Sequence, residues 1–356
     1  AWIYALLPFS VFTDRLGIPD GMVAALAPFV LWAGLKLGRE PSWYHAAMMT
    51  FVLGLALMAK ATALTLIPVA VVGLALGAWS TLVPEKYLSP HQDSRSNPKS
   101  RFLYIIAPIS LALAIVPTVV IVKIFSGGSF VVEKSSSFLL SVEEILGFPT
   151  VHWSNNFALL REWIVNYIQW PSLIILVLAI VLTKWRIKWW IFVVMLLGGF
   201  QIVFMGFMAR VWFSRYLAGA IPFLVLAVGM ACVALAELAG RGRSRVAVVL
   251  LLLAVITTTA LAQDVRLISK PTEFSWARDD RWQYIQGWPS GYGFNELTIE
   301  LDKRIKRHKK IVILVDKYMG HPKDAVELAF SGNKNVSVTR GSHFLSFLNL
   351  LIQLLS

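Results

Sequence analysis

The sequence predicts an all-α polytopic membrane domain of about nine spans, the first one partial, followed by a small α/β extracytoplasmic domain. Three observations carry that prediction. The chain of 356 residues is 57% hydrophobic and only 15% charged, against roughly 45–50% apolar and 25% charged in soluble domains, and its mean hydropathy is +0.67. Apolar runs separated by short charged turns recur as far as residue 262. Beyond 263 the pattern changes to amphipathic helices and short β-rich runs.

The apolar runs fall at 1–12, 20–36, 44–59, 61–79, 102–125, 171–183, 189–208, 216–238 and 246–262, and a crossing helix takes about 20 residues. Pro28, Pro68, Pro108, Pro117 and Pro222 interrupt some of them, as membrane helices allow when neighbours satisfy the freed backbone groups. The first run is read as the end of a span. With no initiator Met and no basic leader before it, the chain is expected to be a piece that lacks its natural N-terminus. Alternation of the helices gathers Lys36 and Arg39, then Lys86, Arg95, Lys99 and Arg101, then Lys184, Arg186 and Lys188, then Arg241, Arg243 and Arg245 on one side. By the positive-inside rule that side is the cytoplasm, in a multi-pass protein of the cell membrane. The formal charge of +13 is read as this topology plus a basic tail, with membrane lipids and not nucleic acid as the partner. Cys232 lies in an apolar run, can form no intrachain disulfide and is assigned to packing.

The other side receives "FTDRLGIPDGM", the turn at Lys60, the outer loop 126–169, "ARVWFSRY" and everything after Gln263. The loop carries Glu133, Glu143, Glu144 and His152. Its "NNFALLREWIVNYIQW" suits a helix lying at the membrane interface, as an anchor or as a cover that contacts substrate. The inner "PEKYLSPHQDSRSNPKSR" is polar. In the tail, residues 263–356, "FNELTIELDKRIKRHKK" predicts an amphipathic helix, "IVILVD" a buried strand, "HPKDAVELAF" a second helix and "NVSVTR" another strand. "WPSGYG" lacks the spacing of a dinucleotide fingerprint and reads as a turn before a helix. The basic run Lys303–Lys310 is either a solvated helix face or an attractor of anionic headgroups.

Charged groups at the edge of an apolar zone are costly, so a cluster of them at one level is a candidate site. Asp14, Arg15, Asp20, Lys60, Arg210 and Arg215 form such a set, all at expected outer ends of helices. Singly each has an ordinary explanation. Asp14 and Arg15 mark a loop, Asp20 after Pro19 caps a helix, and the two later arginines reach for the interface. Together they offer carboxylates able to take a proton from a hydroxyl or amine, and cations able to hold a phosphate. Lys60 is the most telling, because it interrupts "GLALMAKATALTLIP" between two closely linked helices. The six histidines and the acids show no metal-ligand spacing, and no GxSxG or Walker pattern is present. No metal site is therefore predicted.

"FTDRLGIPDGMVAALAPFVLW", "GLALMAKATALTLIP" and "SRYLAGAIPFLVLAVG", in this order, resemble segments of the GT-C superfamily of polytopic glycosyltransferases, nearest to the protein mannosyltransferase and aminoarabinose transferase branch. The resemblance covers residues 4–262, and "RWQYIQGWPSGYG" is similar to the outer domain of some bacterial members. It implies transfer of a sugar, usually with inversion, from a polyprenyl-phosphate donor to a protein or lipid acceptor on the outer face. It also implies that Asp20 is the acidic position after the small loop, Lys60 the lysine near the donor phosphate, and Arg215 with Tyr216 the pair that opens a later helix. Asp14, Arg15 and Arg210 join the donor site by location. The family's principal acid lies in the first outer loop, so it is expected upstream of Ala1, with Asp20 and Asp14 in supporting roles. The resemblance implies no fixed cofactor and leaves the use of a divalent cation open.

Two other functions fit parts of the pattern. A transporter or flippase of lipid-linked sugars would put polar residues in mid-span and repeat its halves in inverted order, whereas the charges here sit at helix ends. A non-catalytic membrane scaffold would need none of them.

Overall fold

Apolar runs in a bilayer can satisfy their own backbone groups as helices, and helices dominate the chain. The computed structural model describes residues 2–16, 18–82, 98–125, 138–287, 293–307, 310–316 and 322–341. Most of "WPSGYG", Lys86 and Arg95 of the inner loop, and Glu133 of the outer loop lie outside them. Two units are distinguished, Ala1–Ser275 and Trp276–Ser356.

The first unit runs α1 (Trp2–Ala5), α2 (Pro8–Arg15), α3 (Asp20–Arg39), α4 (Trp43–Ala59), a 3-10 turn (Ala61–Thr65), α5 (Leu66–Leu82) and α6 (Pro98–Phe125). It continues with α7 (Val142–Leu146), α8 (Thr150–Trp163), a π turn (Ile164–Ile168), α9 (Trp170–Leu182) and α10 (Trp185–Met208). A 3-10 turn (Ser214–Leu217), α11 (Ile221–Leu238), α12 (Arg243–Ser269) and a last 3-10 turn (Pro271–Glu273) complete it.

Among the described residues five helices are long and apolar enough to cross a membrane: Asp20–Arg39, Ala61–Trp79, Trp185–Met208, Ile221–Leu238 and Arg243–Ser269. A sixth is added if α8 with its π turn and α9, bent by 99°, count as one span. The count falls short of the nine expected for identifiable reasons. Pro8 starts a new helix, so the first run is divided between α1 and α2. The apolar part of α6, Ile105–Val120, and α4 are shorter helices. Val177, Val181, Val203, Leu250 and Leu251 are exposed, as lipid-facing sides of α9, α10 and α12 require.

The core is tightest where α3 meets α5. A Cβ on Gly34 would lie 2.6 Å from the Ala70 carbonyl oxygen, and one on Gly73 would lie 2.7 Å from that of Leu31. Gly38 and Gly77 repeat the approach one turn along each helix. Small residues four apart on both helices are the packing device of membrane spans, where backbone contact replaces hydrophobic driving force. The unit does not stop at 262: α12 continues with Asp264 and Leu267 buried, and the Phe274 ring stacks on Tyr167 at 6.3 Å and 4°.

The second unit holds α13 (Arg278–Arg281), a π turn (Trp282–Gln286), α14 (Phe294–Arg307), β1 (Ile311–Asp316), α15 (Pro322–Ala329) and β2 (Val336–Gly341). The strands pair in parallel from Ile311↔Val336 to Asp316↔Gly341, with α15 between them in sequence, as a parallel crossover requires. β1 is less enclosed than its apolar run suggests, since Leu314 is 41% exposed. In the basic run, Lys303 and Arg304 pair with Glu300 along the exposed face of α14.

Candidate functional site

The first turn of α3, the last residue after α4 and the 3-10 turn before α11 come together at one end of the helical unit. Asp20 stands at the N-terminus of α3, where the helix dipole favours a carboxylate, and it is 1% exposed. α4 ends at Ala59 because Lys60 takes an extended conformation, φ −164°, which turns its side chain back to Asp20. Lys60 Nζ donates to both Asp20 carboxylate oxygens at 2.5 Å. The same ammonium lies 4.7 Å from the centre of the Tyr216 ring, a cation–π distance.

Arg215 adds a second cation, its guanidinium 4.5 Å from the Phe213 ring and 5.7 Å from the Tyr216 ring. Its Nε is buried and has no hydrogen-bond partner. Burial pulls the Lys60 ammonium below its ordinary pKa, and the hydrogen bonds to Asp20 oppose this. Burial pushes the Tyr216 phenol up, and the Arg215 charge opposes it. One carboxylate faces two cations around a single aromatic ring, so the cluster carries an excess positive charge that an anion would neutralise.

Gln201, on α10 and buried, joins the two turns. Its Oε1 accepts from Thr65 Oγ1 at 3.1 Å, and its Nε2 donates to the Leu197 carbonyl at 3.2 Å. A Cβ on Gly219 would lie 2.6 Å from the same Oε1. The turn after Lys60 and the turn after Tyr216 therefore rest on one amide. Gln201, Thr65 and Gly219 are not among the residues that the sequence singles out. A signal existed in the lone amide of "WWIFVVMLLGGFQIVFMGFM", since polar groups within an apolar span are costly.

The other expected residues are placed differently. Asp14, exposed on α2, packs beside the start of α3, its Oδ1 2.8 Å from where a Cβ on Gly21 would be. Burial pushes its carboxyl up, opposed by a hydrogen bond from Tyr4. Arg15 is exposed at the end of α2.

Arg210 is held by the outer loop. Its Nη2 donates to Glu144 Oε1 and Oε2 at 2.7 and 2.6 Å, because the chain doubles back there: Leu140 N–H donates to the Met208 carbonyl and Arg210 N–H to that of Phe138, each at 2.9 Å. Glu144 also accepts from the Ser141 backbone N–H at 2.7 Å. That hydrogen bond first, with Arg210 adding to it, holds its carboxyl below the ordinary value.

One turn below the cluster an apolar groove of about 1040 Å³ opens beside α3 and α11. Tyr4, Ala24, Pro28, Pro222 and Phe223 line it near the cluster, and it extends to Glu237 at the far end of α11. Among the described residues no group of three or more His, Cys, Asp and Glu side chains is arranged to hold a metal ion. No protein-family model matches the chain, and neither a curated protein nor a solved structure matches it.

Proposed function

We propose that this chain is a membrane glycosyltransferase that takes a sugar from a polyprenyl-phosphate donor and transfers it to a protein or lipid acceptor at the outer face of a cell membrane. The observation that carries the reading is the junction of a cationic, aromatic-walled cluster at Lys60, Arg215 and Tyr216 with the apolar groove one turn below it. A ligand with an ionised headgroup and a long apolar tail suits such a junction.

When the acceptor attacks the sugar's anomeric carbon, the bond from that carbon to the phosphate oxygen breaks and the polyprenyl phosphate leaves with one more negative charge. Fixed cations aimed at that oxygen lower the barrier, because the charge appears in the transition state. Lys60 and Arg215 are those cations, and the Arg215 Nε has hydrogen-bonding capacity to spare. Asp20 spends both oxygens on Lys60 and so acts as its positioning residue, whereas Asp14 is the carboxylate free to receive a proton from the acceptor.

The topology supports the outer face. Lys36, Arg39, Lys184, Arg186, Lys188, Arg241, Arg243 and Arg245 lie at helix ends opposite the cluster, the side that the positive-inside rule assigns to the cytoplasm. Counting α4, α6, the α8–α9 pair and the partial first segment as crossings brings the total to about nine. The C-terminal unit then follows α12 on the extracytoplasmic side.

The test uses the protein in nanodiscs with a polyprenyl-phosphate donor carrying a labelled sugar, and follows label reaching protein or lipid. Arg215→Gln should lower transfer at least about 100-fold while the unfolding midpoint stays near that of the parent. Undiminished transfer in that variant would remove Arg215 from the site, and a parent protein that binds no polyprenyl phosphate would overturn the whole reading.

A further inference from the structure

α8 lies across the direction of α9, and the chain just before it forms a projecting turn. Val142, Leu146, Phe148 and Val151 are each between 70 and 72% exposed, four large apolar side chains within ten residues. Val142 and Leu146 share a face of α7 by their spacing of four. Glu144 is drawn elsewhere, by Arg210. Phe148 takes φ +52°, a left-handed conformation that is costly for a bulky residue, and its exposed ring recovers little of that cost inside the chain.

The turn is held rigidly to the end of α10. The Phe148 ring meets Trp153 edge-on at 6.0 Å, and Trp153 meets Phe207 edge-on at 5.1 Å. Trp153 Nε1 donates to the Phe207 carbonyl at 3.1 Å, and Asn156 Nδ2 to the Gly206 and Ala209 carbonyls at 2.9 and 2.8 Å. Phe207 continues into the exposed apolar flank of α10 through Val203 and Phe204. Asn156, Leu159 and Trp163 turn one side of α8 inward, its other side is exposed and largely polar, and the large exposed apolar side chains gather at its start and in the turn that precedes it.

We propose that residues 142–151 insert into the lipid leaflet nearest the Lys60 cluster and anchor this end of the helical unit at a fixed depth. Lipid is the occupant because the turn prolongs a flank of α10 that a membrane helix presents to lipid, and because Trp153, with its indole N–H satisfied by the Phe207 carbonyl, suits the headgroup level. The inference is independent of the transferase reading.

The chain has one cysteine, Cys232, which is buried. In a Cys232→Ser background, Leu146→Cys and Phe148→Cys are labelled with an environment-sensitive fluorophore in nanodiscs, with Asn155→Cys, exposed on α8, as the reference. The labels at 146 and 148 should emit to the blue of the reference, be quenched several-fold less by aqueous iodide, and be quenched by lipid bearing a nitroxide near the glycerol. Iodide quenching equal to that at Asn155 would overturn the proposal. So would protection from both quenchers, which means that a protein surface covers the turn.

Discussion

The Asp20–Lys60 pair makes an asymmetric prediction. Asp20 is 1% exposed and Lys60 side-chain exposure is 22%, so the two partners do not lose equally when the other is removed. Lys60→Met leaves a buried carboxylate stripped of both hydrogen bonds, a change that costs about 3–5 kcal/mol. Asp20→Asn leaves an ammonium that can extend along its stem to water, and an amide oxygen still able to accept from it, so the cost is about 1–2 kcal/mol. The double variant replaces the pair by neutral groups and relieves the stranded carboxylate, so it should cost about 2–4 kcal/mol where the two single losses sum to about 4–7, a coupling of about 2–3 kcal/mol. Equilibrium unfolding in mixed micelles measures all four proteins. Equal losses for the two single variants, or a coupling below about 0.5 kcal/mol, would refute the argument. Binding carries the opposite sign: removing the Asp20 carboxylate from Lys60 should tighten binding of a polyprenyl phosphate by about tenfold, or 1.4 kcal/mol, at low salt. Weaker binding by Asp20→Asn would mean that Lys60 needs its partner more than the anion needs the charge.

Three further predictions concern the supports of the site. Gly219→Ala drives a methyl into Gln201 Oε1 and should cost about 1–3 kcal/mol by overpacking, with most of the loss recovered in a Gln201→Ala background; thermal unfolding of the single and double variants reads both. Gly34→Val forces α3 away from the Ala70 carbonyl and should lower the unfolding midpoint more than Gly54→Val on α4, where a Cβ meets nothing within 4 Å. Because the Glu144 carboxyl is held below its ordinary 4.5, its hold on Arg210, which ties the Phe138–Glu144 segment to the end of α10, is complete above that value and is lost as pH falls through the lower folded value. The protection of the Leu140 and Arg210 amides, measured as exchange relative to the intrinsic rate at each pH, should therefore fall only in that acid window, and Glu144→Gln should remove its pH dependence; protection lost near neutral pH would assign this hold to another group.

What could be read in one dimension follows from what each residue costs where it stands. Lys60 was conspicuous because a cation at the edge of an apolar run needs a partner, and Asp20 is that partner across forty positions of chain. The glycines of α3 and α5 were not conspicuous, since their meaning lies in a carbonyl on the facing helix and a glycine alone signals only permissiveness. Gln201 was hidden for the opposite reason: one amide barely changes the hydropathy of a long run, yet it is the group on which both turns of the cluster rest. Arg210 has a partner that its level in the chain does not announce: the segment from Phe138 to Glu144 doubles back on it, and its guanidinium pairs with Glu144. The stretch "FTDRLGIPDGM" shows the same distinction within eleven residues, because its two acids stand six apart and have different partners. Asp20, at the head of α3, is occupied by a cation, while Asp14, at the end of α2, keeps an exposed carboxyl whose hydrogen bond from Tyr4 leaves acceptor capacity. Helix phase and the break between α2 and α3 assign these roles, and composition is silent on both.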